Sequence, residues 1–216
     1  MVVPGDGHIN THFLKTFATI IKRQIKKGKR FIIVTGGGRT CRVYQQAAGR
    51  VRRLTPRDLD WLGIYTTHLN AQLVRTVFGD LAEEEINMNP TVKSRFRKPI
   101  LIGAGWKPGC STDHDAVLLA LDYGAQTIIN LSNIDHVYDR DPQKYPTAKK
   151  LDRVSWSAYR QIIGKHWTPG ANWPFDPVAS RLAAKTKLTV LVMNGKKLKN
   201  FESHLNSQRF SGTVIS

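Results

Sequence analysis

The stretch Phe31–Arg42, FIIVTGGGRTCR, constrains this chain more than any other. Phe31-Ile32-Ile33-Val34 is a short apolar run rich in β-branched side chains, which predicts a buried strand. The run passes into Gly36-Gly37-Gly38, and Arg39 through Ala48 reads as a helix. A strand that runs through glycines into a helix N-terminus favours anions. The backbone approaches a ligand closely, free N–H groups point at it, and the helix dipole is positive there. Arg39 and Arg42 flank the turn, where they can grip phosphate oxygens. The plainer alternative is a tight βα turn with two solvated arginines.

The device recurs. Pro99–Ala104 (PILIGA) predicts a second buried strand, opening into Gly105-Trp106-Lys107-Pro108-Gly109-Cys110-Ser111-Thr112-Asp113 and a helix from about His114 to Tyr123. Ser111, Thr112 and Asp113 are all capping types, so an ordinary N-cap is the competing reading. A third strand is expected at Gln126–Leu131, followed by the polar, turn-rich Ser132–Thr147. A fourth, Leu188–Met193, is entered from a helix at Ala179–Lys185. Strands alternating with helices predict an α/β fold, a doubly wound three-layer αβα sandwich on a mainly parallel sheet. Ligands of such sheets sit outside the carboxyl ends of the strands. The loops after Val34, Ala104, Leu131 and Met193 are therefore expected to line one crevice suited to an anion or nucleotide.

Elsewhere, Pro4-Gly5-Asp6-Gly7 signals a turn, and Asn10 or Thr11 can cap a helix. Phe13, Leu14, Phe17, Ile20, Ile21 and Ile25 give that helix an apolar stripe, and Gly28 ends it. Thr55 and Pro56 open a further helix, Asp58 to about Phe78, whose expected core stripe is Leu59, Leu62, Leu69, Leu73 and Val77. Asp60 lies near its start, where position alone makes it a structural dipole partner. Residues 80–98 read as a peripheral excursion. Ser155–Pro177, with Trp156, Trp167 and Trp173, reads as a lid or edge excursion whose tryptophans serve packing.

The charge balance narrows the partners. Thirty-three Lys and Arg against sixteen Asp and Glu give +17, which favours nucleic acid or phosphorylated small molecules. The basic residues are spread along the chain, with no zinc-finger, aromatic RNA-binding or basic-zipper pattern. Nucleic acid is thus not the expected main partner. No apolar run approaches the roughly 18 residues of a membrane span, and the N-terminus carries no secretory pattern, so a cytoplasmic protein is expected. Cys41 and Cys110 make no disulfide scaffold, and without a histidine cluster no metal site is expected from them.

Taken together, the motifs resemble uridylate (UMP) kinases of the amino-acid-kinase family, of the bacterial and archaeal type. The resemblance rests on Gly36-Gly37-Gly38 with Arg42, on Leu59-Asp60-Trp61-Leu62-Gly63 with Asn70-Ala71-Gln72-Leu73, and on Pro108 through Asp113. It continues through Asn133–Pro142, Pro174-Phe175-Asp176-Pro177-Val178-Ala179 and Gly212-Thr213-Val214-Ile215. It spans nearly the whole chain as one amino-acid-kinase-like domain, with an acceptor-binding half at about 1–113 and an ATP-binding half at about 114–216.

The resemblance implies transfer of the γ-phosphoryl group of ATP, carried with Mg²⁺, to UMP in pyrimidine nucleotide synthesis, by a hexamer built from dimers. It implies that Gly37, Asp60, Gly105, Ser111 and Thr112 bind UMP, with Asp60 on the ribose. Gly38, Arg42, Ser132, Asn133, Tyr138 and Asp141 would bind ATP, the tyrosine against the adenine. Arg42, Asp113 and Asp176 would serve catalysis, the two aspartates orienting a lysine or the metal. Such chemistry asks for positioning and positive charge rather than a protein nucleophile.

The pattern departs from the family at its start. Members open with a strand and a Gly-Gly-Ser-like loop that clasps the ATP phosphates, whereas Met1-Val2-Val3-Pro4 matches the residues just after that loop. The expectation is a natural start upstream of Met1. The alternatives are a shortened, non-catalytic nucleotide binder, another amino-acid-kinase activity on a carboxylate or carbamate, and a basic nucleic-acid binder.

Overall fold

The computed structural model describes residues 2–4, 8–164 and 173–216. Gly5-Asp6-Gly7 of the N-terminal turn, and Trp167 with Pro169-Gly170 of the expected lid, lie outside the described residues. The chain divides into two compact units, Met1–Asp122 and Tyr123–Ser216.

The first unit runs α1 (Thr11–Ile25), β1 (Phe31–Val34), α2 (Gly38–Val51), α3 (Pro56–Phe78), a 3-10 turn at Gly79–Leu81, β2 (Ile100–Gly103) and α4 (Thr112–Asp122). Helix α1 begins where the Asn10 side chain accepts from the Phe13 N–H at 2.9 Å. Phe13, Leu14, Phe17, Ile20 and Ile21 are buried as their spacing predicts, but Gln24 rather than Ile25 completes the buried face. Phe13 stacks on Phe17 at 5.5 Å, and Phe17 meets Phe78 edge-on at 6.2 Å, which fastens α1 to α3.

β1 and β2 pair in parallel, from Phe31 opposite Ile100 to Val34 opposite Gly103. β1 is half-buried throughout rather than buried, while β2 is fully buried. Residues 80–98 are peripheral only in part: those beyond Pro90 are largely exposed, but residues 82–87 run along β2. Glu83 and Asn87 donate their N–H groups to the Ile100 and Ile102 carbonyls at 2.9 and 2.8 Å, and Ala82 and Asn87 are buried. The Phe31 and Thr35 N–H groups take the alternate carbonyls, Pro99 and Gly103. β2 is therefore bonded along both edges, and β1, among the described residues, along one.

The expected stripe on α3 is also displaced. Its buried residues are Ile64, Thr66, Thr67, Asn70, Ala71, Val74 and Phe78, and Leu69 is 61% exposed. The inward face is partly polar because it serves hydrogen bonds rather than apolar packing alone. Thr55 caps the helix as expected, in a reciprocal capping box with Asp58, and the helix begins at Pro56, two residues before Asp58.

The second unit runs β3 (Thr127–Ser132), β4 (Val137–Tyr138), β5 (Lys150–Leu151), β6 (Arg153–Val154), α5 (Trp156–Ile163), α6 (Pro177–Lys185), β7 (Thr189–Asn194), α7 (Leu198–Leu205) and β8 (Thr213–Ile215). The sheet order is β3-β7-β8-β6, parallel except where β7 meets β8, and β4 and β5 form a separate antiparallel pair. The α/β class with mainly parallel strands holds. Trp156 is a packing residue: it is buried and its indole N–H donates to the Leu188 carbonyl at 2.9 Å. Among the described residues no helix is long and apolar enough to cross a membrane.

Candidate functional site

In the first unit, helix α3 organises both glycine turns. Asn70 is buried in the middle of the helix, and its side-chain amide donates to the Gly36 and Gly37 carbonyls at 2.8 and 3.2 Å. The buried Thr35 hydroxyl donates to the Thr67 carbonyl at 3.0 Å. Gly37 sits so close to α3 that a Cβ there would lie 2.7 Å from Thr66 Oγ1 and 2.8 Å from the Cys41 Cβ. Gly38 has φ +62°, and its Cβ would meet the Val3 carbonyl at 2.9 Å. That carbonyl also accepts the Arg39 N–H at 3.1 Å. No side chain caps the N-terminus of α2 at Gly37. The start of this helix therefore presents its dipole and backbone rather than a competing carboxylate.

The second turn hangs from the same helix. Gly105 donates its N–H to Thr67 Oγ1 at 2.7 Å, and its carbonyl lies 2.8 Å from His68 Nε2. One turn from the start of α3, Asp60 Oδ2 accepts the Gly109 N–H at 2.9 Å. Gly36 and Thr112 bring the two turns together, with Thr112 Oγ1 3.9 Å from where a Gly36 Cβ would sit. Ser111 Oγ accepts the His114 N–H at 3.2 Å and so caps α4, in whose first turn Asp113 lies. Arg42 is exposed on α2, one turn beyond Gly38.

Behind this loop the Asp115 carboxyl is completely buried and accepts the Trp106 N–H at 3.1 Å. Burial pushes it up to about 7, helped by the negative charge of Asp113 and opposed by the Trp106 N–H and by Lys107. Gly37, Asp60, Gly105, Ser111 and Thr112 thus gather around one helix and the loops it holds.

In the second unit the loops after β3 and β7 adjoin. Ser132 pairs with Asn194, and the Ser132 carbonyl accepts the Gly195 N–H at 2.8 Å. Ser132 Oγ lies 3.4 Å from Asn133 Oδ1. Lys197 forms an ion pair with Asp135 at 2.7 Å, which holds that carboxyl below the usual range. Tyr138 is half-buried on β4, and the exposed Asp141 closes a turn by accepting the Gln143 N–H at 2.9 Å. Asp176 is buried and caps α6, accepting the Ala179 N–H at 2.7 Å. Ahead of it, the Tyr159 hydroxyl donates to the Phe175 carbonyl at 2.8 Å and accepts the Phe175 N–H at 2.7 Å.

Of the residues that hold the turns, Asn70 belongs to the Asn70-Ala71-Gln72-Leu73 motif but carries no predicted role there, and Thr66, Thr67, Asp115 and, in the second unit, Lys197 stand outside every predicted site. Three polar side chains at helical spacing among buried positions of α3 were the available signal.

The family model of the amino acid kinase family matches residues 2–194. The chain belongs to the amino acid kinase family. This amino acid kinase chain is 32% identical to a uridylate kinase of Sulfurisphaera tokodaii, over 82% of its own length and 80% of the relative's. It is 31% identical to a uridylate kinase of Thermoplasma acidophilum, over 99% of its length and 92% of the relative's. A crystal structure of a uridylate kinase from Archaeoglobus fulgidus superposes with a TM-score of 0.79 at 24% identity, covering 100% of this chain and 98% of the other. At that identity the likeness establishes the amino acid kinase fold.

Proposed function

We propose that the chain transfers the γ-phosphoryl group of Mg-ATP to UMP, giving UDP and ADP. The observation that carries this reading is the buried polar face of α3, where Asn70 and Thr67 hold two glycine turns beside the start of α2, which no side chain caps. That arrangement supplies backbone donors and a helix dipole suited to a phosphorylated acceptor. The uridylate kinase relatives, matched over most of their length, support the choice of UMP.

In this reading Asp60 binds the ribose through the oxygen that Gly109 does not use. Gly37, Gly105, Ser111 and Thr112 surround the phosphate and base, while Gly38 and Arg42 face the transferring phosphoryl group. Ser132, Asn133 and Asp141 hold ATP, Tyr138 lies against the adenine, and Asp113 and Asp176 orient the charged groups. Lys197 follows the segment after β7 whose Gly195 N–H bonds the Ser132 carbonyl, and its ammonium pairs with Asp135. The first unit thus serves the acceptor and the second the donor, in the cytoplasm and in pyrimidine nucleotide synthesis. We also propose a homo-oligomer, a hexamer in the family's manner. The exposed Trp61, Tyr65 and Leu69, spaced one turn apart on α3, support self-association.

An acceptor panel tests the reading. With Mg-ATP, turnover is expected on UMP and not on aspartate, N-acetylglutamate or carbamate; a carboxylate or carbamate as the preferred acceptor would refute it.

A further inference from the structure

The loop between β2 and α4 brings together three side chains of metal-binding type. Cys110, His114 and Asp115 each offer a ligand atom, and these atoms all lie within 4.8 Å of one another. Among the described residues no other group of three such side chains is so arranged. The chain spacing explains the meeting: Cys110 ends the loop, and His114 and Asp115 follow one helical turn later, on α4.

Asp115 supplies an independent observation. Its Oδ2 is used by the Trp106 N–H, but Oδ1 is fully buried, makes no hydrogen bond and lies 4.0 Å from His114 Nδ1. A buried carboxylate oxygen without a donor is costly unless a cation or proton satisfies it. The capping of α4 is already complete through Ser111, so Asp115 is not needed there.

We propose that Cys110, His114 and Asp115 form a binding site for a zinc-class divalent cation. Thiolate, imidazole and carboxylate together match the ligand preferences of Zn²⁺, and three protein ligands leave a fourth tetrahedral position for water. With bonds of about 2.0–2.3 Å, tetrahedral ligand atoms stand roughly 3.4–3.6 Å apart. The 4.0 Å between His114 Nδ1 and Asp115 Oδ1 then closes by about 0.4–0.6 Å, and separations of up to 4.8 Å in the cluster by up to about 1.2 Å. Binding releases the thiol proton, and any proton on Asp115, to solvent. The ion would strap both ends of the loop to α4, since Asp115 holds Trp106 and Cys110 lies near the other end. The proposal does not rest on the kinase reading.

Cobalt reads the site directly. The untagged 216-residue chain is stripped with a chelator, freed of it and titrated with Co²⁺. One equivalent is expected to give tetrahedral visible bands and a near-ultraviolet thiolate-to-cobalt band, both displaced by Zn²⁺. C110S abolishes the thiolate band with the far-ultraviolet circular dichroism unchanged, C41S retains it, and H114Q and D115N each weaken binding at least tenfold. Cobalt bound without a thiolate band, a band that survives C110S, or unchanged affinity in both H114Q and D115N overturns the site.

Discussion

The side-chain amide of Asn70 donates to the Gly36 carbonyl at 2.8 Å, so that one residue in the middle of α3 fixes the glycine turn after β1. The same amide reaches Gly37 at 3.2 Å, and the group is buried. Asn70→Asp replaces a donor by an acceptor facing two carbonyls. Each bond is worth about 1 kcal/mol and an unsatisfied buried group costs about 1–3. The variant is therefore expected to lose about 2–4 kcal/mol in denaturant unfolding, and its UMP-dependent turnover should fall more than tenfold. Wild-type stability in the variant would contradict the assignment.

Asp60 separates binding from scaffolding. Its Oδ2 holds the Gly109 N–H, and the proposed function gives its other oxygen to the ribose. Asp60→Asn keeps an acceptor for Gly109 but loses the charge that strengthens a ribose contact. KM for UMP should rise about tenfold, consistent with loss of about 1.4 kcal/mol, with little change in melting temperature. An unchanged KM with a lowered melting temperature would mean that Asp60 only positions the loop.

Much of the fold was legible in the sequence because local chemistry and global packing agree. The β1, β2, β3 and β7 runs, the Asn10 and Thr55 caps and the Gly28 stop all lie within a residue or two of their expected places. The failures have physical causes. Apolar periodicity places Leu69 in the core because it assumes that a buried helix face is apolar, whereas α3 turns Thr66, Thr67 and Asn70 inward, and Thr67 and Asn70 serve backbone groups of the glycine turns. Glu83 and Asn87 looked peripheral because their pairing with β2 is made by backbone groups, which leave little trace in side-chain pattern. Asp115 was invisible for a similar reason: its partner is the Trp106 N–H in a loop, not a charged residue at recognisable spacing.

The start of α3 gives a pH prediction. Asp58 accepts from the Thr55 N–H and hydroxyl at 2.9 and 2.8 Å and pairs with Arg52 at 3.0 Å. The Thr55 N–H, first, and then Arg52 and the Thr55 hydroxyl lower its carboxyl from 3.8 to about 2. A lowered value means that the unfolded chain binds more protons than the folded one in this range. The stabilisation is complete above pH about 4 and is lost as pH falls through about 2. Asp58→Asn should flatten that acid limb in a stability profile, and Thr55→Ala should cost about 1 kcal/mol at neutral pH. An acid limb unchanged in Asp58→Asn would contradict the account.

Tyr159 supports the segment leading into Asp176. Its hydroxyl both donates to and accepts from the Phe175 backbone, and the residue is fully buried. Tyr159→Phe leaves a buried N–H and carbonyl unpaired, for which about 2–3 kcal/mol of destabilisation is expected. Denaturant unfolding checks this, and a loss under about 0.5 kcal/mol would show that other groups satisfy Phe175.

The central claim is tested most directly by following ADP release from Mg-ATP by this 216-residue chain, with and without UMP. The account predicts ADP formed in equal amount to UDP, only when UMP is present, and strongly reduced by Asp60→Asn at low UMP. ADP release that ignores UMP, or no release at all at saturating UMP and Mg-ATP, would contradict it.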